Sequence, residues 1–289
     1  MGAESELLVS ASWVADHLDD DDVVVVDCPW DGPWWKAGNG GAYGRAHIPG
    51  AVCQSGHAYI KSGTAEDPSV SLPSEPEIVQ LAAELGIGPE STVVVYDEGG
   101  SLFAARLWWV LTYSGHADVR VLDGGWQAWI EAGLPVSARP REPATAAPFT
   151  PRFDERRIAT LEQALGCCED PAWQAIDARS QEEWTGSELS GNRRGGHMPG
   201  AVHCEWNRLL EDSDDVHGVR RFRPAGELRS ILEGAGVDPD TNHIPYCQAA
   251  VRGAFMGFAL ELAGFGPAAV YDGSMAEWAN LDTTPLTTV

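Results

Sequence analysis

Cys247 is the side chain whose neighbours best suit it to nucleophilic chemistry. It follows the strand-like run His243-Ile244-Pro245-Tyr246 and precedes the small-residue stretch Gln248-Ala249-Ala250. An apolar helix-forming segment then runs from about Val251 to Ala263 and stops at Gly264. A thiol in that position lies outside the carboxyl end of a buried strand, where ligands of open α/β sheets gather. It also meets a helix N-terminus, whose unpaired N–H groups and positive dipole end favour an anion. The small residues after it let the loop amides curl inward as an anion nest. The chemistry this suits is attack by a thiolate to give a covalent intermediate that is passed to a second nucleophile.

The elements that must position this thiol occur twice. Asp27 after Val23-Val24-Val25-Val26 returns 150 residues later as Asp177 after Ala175-Ile176. His47-Ile48-Pro49-Gly50-Ala51-Val52 returns as His197-Met198-Pro199-Gly200-Ala201-Val202, and Leu122-Asp123-Gly124-Gly125 with Trp129 as Tyr271-Asp272-Gly273-Ser274 with Trp278. Tyr96-Asp97 returns as Tyr246-Cys247, so one copy carries a carboxylate where the other carries the thiol. A repeat this long is a duplicated folded unit and not a solenoid period. Each copy alternates short β-branched runs with amphipathic stretches, the pattern of a parallel sheet covered by helices. In the first copy the strands are 23–26, 51–52, 93–96 and 119–122, with helices over 12–18, 74–85 and 103–114; in the second they are 175–176, 201–202, 243–246 and 268–271. The domains expected are 1–138 and 158–289. Between them, 139–157 reads as a linker, because Arg139 to Pro151 is rich in Pro, Ala and Thr without apolar periodicity.

Composition removes several classes of function. The chain has 289 residues and a formal charge of −24, and nucleic-acid binding needs clustered Lys and Arg. Runs such as Asp19 to Asp22 and Glu211-Asp212 with Asp214-Asp215 read as solvated turns. Its six cysteines lack the paired spacing of zinc sites, so no metal is expected. Neither a signal-peptide pattern nor a membrane-length apolar run is present, which points to the cytoplasm and to free thiols. Cys28, Cys53 and Cys204 read as small buried hydrophobes, and the adjacent Cys167-Cys168 as structural.

Four motifs in register, twice, resemble the tandem rhodanese family of sulfurtransferases, of the thiosulfate or 3-mercaptopyruvate type, over almost the whole chain. The resemblance implies an α/β protein of two rhodanese-like domains, each a parallel sheet flanked by helices, with the active cleft between them. It implies a silent first domain with Asp97 at the cysteine position, and a six-residue loop from Cys247 through Gln248, Ala249, Ala250 and Val251 to Arg252 in the second. Cys247 would carry a persulfide from a small-molecule donor to a thiol, cyanide or a small redox protein, with no cofactor. Arg193 and Arg194 stand where family members hold an arginine that contacts the anionic donor. The loop matches neither the basic residues of thiosulfate-type relatives nor the Gly and Ser of mercaptopyruvate-type ones, and Met275 replaces a frequent Trp as one pocket wall. Two other readings are a persulfide carrier without turnover of small donors, and a rhodanese-fold phosphatase. The latter has a loop one residue longer, with its Arg one step further from the Cys. His47 and His197 are expected in structural turns, Asp27 and Asp177 as acceptors at strand ends, and Trp30, Trp34 and Trp35 between the domains.

Overall fold

The computed structural model describes residues 7–29, 46–54, 72–213 and 216–288. Trp30, Trp34, Trp35, Asp214 and Asp215 therefore lie outside the described residues. The chain forms two compact units. Described residues of the first are 7–29, 46–54, 73–153, 211–213 and 216–221; those of the second are 72, 154–210 and 222–288. The segment after Arg139 runs with the first unit: Arg141 donates to the Gly50 carbonyl at 2.9 Å and the Arg152 N–H to that of Ser114 at 2.8 Å.

In the first unit five parallel strands are ordered β1-β5-β4-β2-β3: β1 Leu8–Val9, β2 Val23–Asp27, β3 Val52–Cys53, β4 Thr92–Tyr96 and β5 Val119–Leu122. The near-continuous valine runs of β2 and β4 suit strands covered on both faces. Helices α1 Ala11–Asp16, α2 Glu75–Leu85, α3 Leu102–Tyr113 and α4 Gly125–Glu131 complete it. Trp108, Trp109 and Trp129 are fully buried there.

The second unit repeats the plan. Its strands are β6 Ile158–Ala159, β7 Trp173–Asp177, β8 Val202–His203, β9 Asn242–Tyr246 and β10 Val270–Tyr271. They form a three-stranded parallel sheet β8-β7-β9 and a parallel pair β10-β6, and the Ala269 N–H reaches the His243 carbonyl at 3.0 Å beside β9. Register is preserved as well: Asp27 pairs with Tyr96, and Asp177 with Tyr246. The helices are α5 Leu161–Cys167, α6 Gln181–Thr185, α7 Ala225–Gly234, α8 Val251–Leu262 and α9 Ser274–Trp278. Helix α8 is central and largely buried, and Gly253 lets its first turn approach β9, since a Cβ there would lie 3.3 Å from Tyr246 Cα. Short elements such as β1, β6, α4 and α9 escaped the periodicity reading because two to seven residues carry too little pattern.

Candidate active site

Cys247 follows β9 directly and is 1% exposed, three residues before the left-handed Ala250 (φ 54°) that caps α8. The Ala249 N–H points at the Cys247 sulfur, 3.4 Å away. Ser274, the first residue of α9, fastens the loop: its Oγ accepts the N–H groups of Cys247 and Ala250, each at 3.2 Å, and donates to the Tyr271 carbonyl at 2.8 Å. The start of α9 also takes the loop carbonyls, with Met275 N–H on Cys247 O at 3.0 Å and Ala276 N–H on Gln248 O at 2.9 Å. Met275 is fully buried in the core, which is where its side chain contributes. Among the described residues no acceptor meets the N–H groups of Gln248, Val251, Arg252 and Gly253, so the loop and the first turn of α8 hold donors for an anion.

The first copy shows such a cradle filled. Asp97 follows β4 as Cys247 follows β9, and its carboxylate accepts the N–H groups of Gly99 at 3.0 Å, Ser101 at 3.1 Å, Phe103 at 2.9 Å and Ala104 at 3.3 Å. Burial pushes this carboxyl above the usual range, while those N–H donors pull it back. Ser101 (φ 56°) is the left-handed cap corresponding to Ala250, with three residues between it and Asp97 where the thiol copy has two between Ala250 and Cys247. The thiol copy is thus one residue shorter in this loop. That signal was present in the sequence, as the offset between copies falls from 150 at Tyr96/Tyr246 to 149 at Leu122/Tyr271. Gly125 (φ 53°) replaces Ser274, and a Cβ there would collide with the Asp97 carbonyl.

Charge around the thiol is supplied and matched in pairs. Arg252 donates to both oxygens of Glu183, at 2.6 and 3.0 Å. Burial opposes the Arg252 charge, but Glu183 and the neighbouring Cys247 sulfur outweigh it and raise its affinity for the proton. Burial likewise pushes the Glu183 carboxyl up, yet the guanidinium holds it below the ordinary carboxylate range. Arg179, in the place of Pro29 of the first copy, grips the fully buried Asp177 at 2.6 Å and donates to the Gly196 carbonyl. Tyr246 also bonds Asp177, as Tyr96 bonds Asp27 at 2.8 Å.

Donor contact was expected of Arg193 and Arg194, and the structure directs both elsewhere. The Arg194 guanidinium donates to the carbonyls of Trp278, Ala279, Leu281 and Thr284, pinning the segment after α9. Arg193 meets the Asn280 carbonyl at 3.1 Å and Asp282 at 3.1 Å on the surface. The residue just before them touches the loop instead: Asn192 and Gln248 exchange two amide hydrogen bonds, each 2.9 Å. Asn280 donates to Asn192 at 3.1 Å and accepts the Arg193 N–H at 2.9 Å. Sequence reasoning missed Ser274, Asn192, Asn280 and Glu183 as site residues, since each acts through a partner distant in the chain.

The remaining motifs are structural. His47 and His197 form antiparallel bridges with Ser137 and Thr287, and His197 stacks on Trp184 at 3.4 Å between ring centroids. All six cysteines are free; burial pushes Cys167 and Cys204 each up to about 11 and Cys28 well above its ordinary value.

The sequence pattern described as rhodanese-like domain matches residues 10–132 and again 160–281. The chain belongs to the rhodanese family. This rhodanese is 31% identical over 281 residues to the thiosulfate sulfurtransferase of Gallus gallus, covering 94% of this chain and 92% of that protein. It is 32% identical over 297 residues to the sulfur carrier protein TtuD of Thermus thermophilus, covering 98% and 97%. Among solved structures, the 3-mercaptopyruvate sulfotransferase SseA of Escherichia coli superposes with a TM-score of 0.81 at 27% identity, over 93% of this rhodanese and 99% of that chain.

Proposed function

We propose that this rhodanese is a sulfurtransferase and that Cys247 carries the transferred sulfur as a persulfide. The observation that supports this best is the placement of one thiol between the end of β9 and the start of α8, beside backbone N–H groups that meet no acceptor among the described residues. The Cys247 thiolate attacks the outer sulfur of a donor. With thiosulfate the S–S bond breaks, sulfite leaves with the electron pair, and Cys-S-S⁻ remains. With 3-mercaptopyruvate the C–S bond breaks, the thiol proton ends on carbon, and pyruvate leaves. An acceptor thiol, cyanide or small redox protein then takes the outer sulfur and restores the thiolate. Gln248, Ala249, Ala250, Val251 and Arg252 shape the loop around the sulfur, and Glu183 and Ser274 hold that shape. The first domain, 1–138, serves as the silent partner and 158–289 as the catalytic domain, with the connection between them held along the first unit as far as Phe153.

No described helix is long and apolar enough to cross a membrane, and free thiols suit a reducing, cytoplasmic setting. Similarity to a sulfur carrier protein supports a second reading, in which Cys247 holds a sulfur handed over by another protein. Steady-state turnover of thiosulfate and 3-mercaptopyruvate with cyanide separates the two: sustained turnover with either donor supports the enzyme, and a single loading without turnover supports the carrier.

A further inference from the structure

Three carboxamides form a directed relay that ends on the residue after Cys247. Its direction is set at the far end. Asn280 Oδ1 accepts the Arg193 N–H at 2.9 Å and Asn280 Nδ2 donates to the Ala276 carbonyl at 2.8 Å, so two backbone partners of opposite polarity leave that amide one way to face. Asn280 Nδ2 also donates to Asn192 Oδ1 at 3.1 Å, which fixes where the buried Asn192 presents its oxygen. Asn192 Oδ1 accepts from Gln248 Nε2 as well, and Asn192 Nδ2 donates back to Gln248 Oε1, each at 2.9 Å. Flipping any one amide would set acceptor against acceptor or donor against donor.

What the relay holds is the peptide beside the sulfur. The Gln248 carbonyl takes the Ala276 N–H at 2.9 Å and the Cys247 carbonyl takes the Met275 N–H at 3.0 Å. In a trans peptide the N–H points opposite to the preceding carbonyl, so the Gln248 N–H is turned away from α9, and it meets no acceptor among the described residues. The relay also keeps company with the thiol: Ala42, Glu98 and Glu131 of the first copy stand where the second has Asn192, Gln248 and Asn280.

Resting on the sulfurtransferase reading above, we infer that Asn192 is a positioning residue, oriented by Asn280, which holds Gln248 so that the Gln248 backbone N–H is kept for the outer sulfur of a persulfide on Cys247. A hydrogen bond to that sulfur exists only in the loaded protein. It stabilises Cys-S-S⁻ relative to the free thiolate, whichever donor supplied the sulfur. The Ala249 N–H, 3.4 Å from Cys247 Sγ, serves the thiolate itself.

The test is the equilibrium of Cys-S⁻ and thiosulfate with Cys-S-S⁻ and sulfite, in which the S–S bond of thiosulfate breaks, Cys247 Sγ bonds its outer sulfur and sulfite leaves with the electron pair. Protein loaded from thiosulfate or 3-mercaptopyruvate is equilibrated at fixed ratios of sulfite to thiosulfate, and mass spectrometry gives the loaded fraction. Asn192→Ala should lower the ratio at half loading by about ten- to a hundredfold, the factor one hydrogen bond to a charged group supplies. Asn280→Ala keeps the Asn192 and Gln248 amides but removes the partner that orients them, and should shift the ratio in the same direction by less. Labelling of unloaded Cys247 by iodoacetamide against pH should match wild type in both variants, which separates positioning from general loosening of the loop. Circular dichroism establishes folding. If Asn192→Ala does not fold, Asn280→Ala decides; if neither folds, the relay is scaffold and the assignment falls. A loaded fraction unmoved in folded variants, or labelling that falls with it, overturns the positioning role and leaves the sulfurtransferase reading intact. Failure of wild type to load from either donor overturns that reading and this inference with it.

Discussion

Ser274 Oγ accepts the backbone N–H of Cys247 at 3.2 Å, and at the same distance that of Ala250. One hydroxyl from the start of α9 thus fixes both ends of the turn that presents Cys247, and the first copy has Gly125 in its place. Ser274→Ala leaves two buried N–H groups without an acceptor, each costing about 1–3 kcal/mol. Sulfur transfer should fall about tenfold or more in kcat/KM, and thermal stability should fall with it. Steady-state kinetics on Ser274→Ala and Ser274→Gly check this. Unchanged turnover in both would show that the loop holds its shape without the serine.

Asp97 is the keystone of its own loop and not a dormant acid. Asp97→Ala strips the acceptor from the N–H groups of Gly99, Ser101, Phe103 and Ala104, and should destabilise the first unit by about 2–5 kcal/mol. Urea denaturation measures the loss. Asp97→Cys in a Cys247→Ser background should remain inactive, because the longer loop and Gly125 do not rebuild the thiol turn; measurable sulfur transfer by that double variant would contradict the assignment.

The Glu183–Arg252 pair gives a pH-dependent prediction. Because the folded-state carboxyl of Glu183 lies below its ordinary range, its contribution is present above about pH 4.3, the unfolded value, and is lost as pH falls through the folded value. Glu183→Gln should be less stable than wild type by about 1.5–3 kcal/mol at neutral pH. The difference should close as the medium is acidified. A gap that stays constant down to acid unfolding would mean that Glu183 packs and does not pair.

Arg194 makes a contrasting case, since its guanidinium binds carbonyls of the 278–284 segment. Arg194→Ala should lower stability by about 2–3 kcal/mol, the scale of hydrogen bonds to a charged group. It should reduce turnover of anionic and uncharged donors by the same factor. A selective loss with the anionic donor would return Arg194 to donor recognition.

The fold was legible in the sequence because the duplication doubles every signal: strand-end Asp residues, His-x-Pro-Gly turns and the Asp-Gly ends recur in the same order at an offset of 150 or 149, and the long helices 75–85, 102–113 and 251–262 fall within a residue or two of expectation. Cys247 was legible for the same reason, as the one place where the copies exchange a carboxylate for a thiol. The supporting shell was not. Glu183 reaches Arg252 across 69 residues and Asn192 reaches Gln248 across 56, and no periodicity records such partners. The carbonyl contacts of Arg194 were not legible either, because a guanidinium before a Gly-Gly turn is equally apt to bind a donor anion or backbone carbonyls.

Mass spectrometry of the protein after treatment with donor and no acceptor tests the central claim most directly. Wild type should gain about 32 Da, one sulfur held covalently, with the addition mapping to the peptide that contains Cys247, and acceptor should remove it. Cys28, Cys167 and Cys204, pushed away from ionisation by burial, should stay unmodified, and Cys247→Ser should gain nothing. Sulfur found on another cysteine, or sustained transfer by Cys247→Ser, would contradict the account.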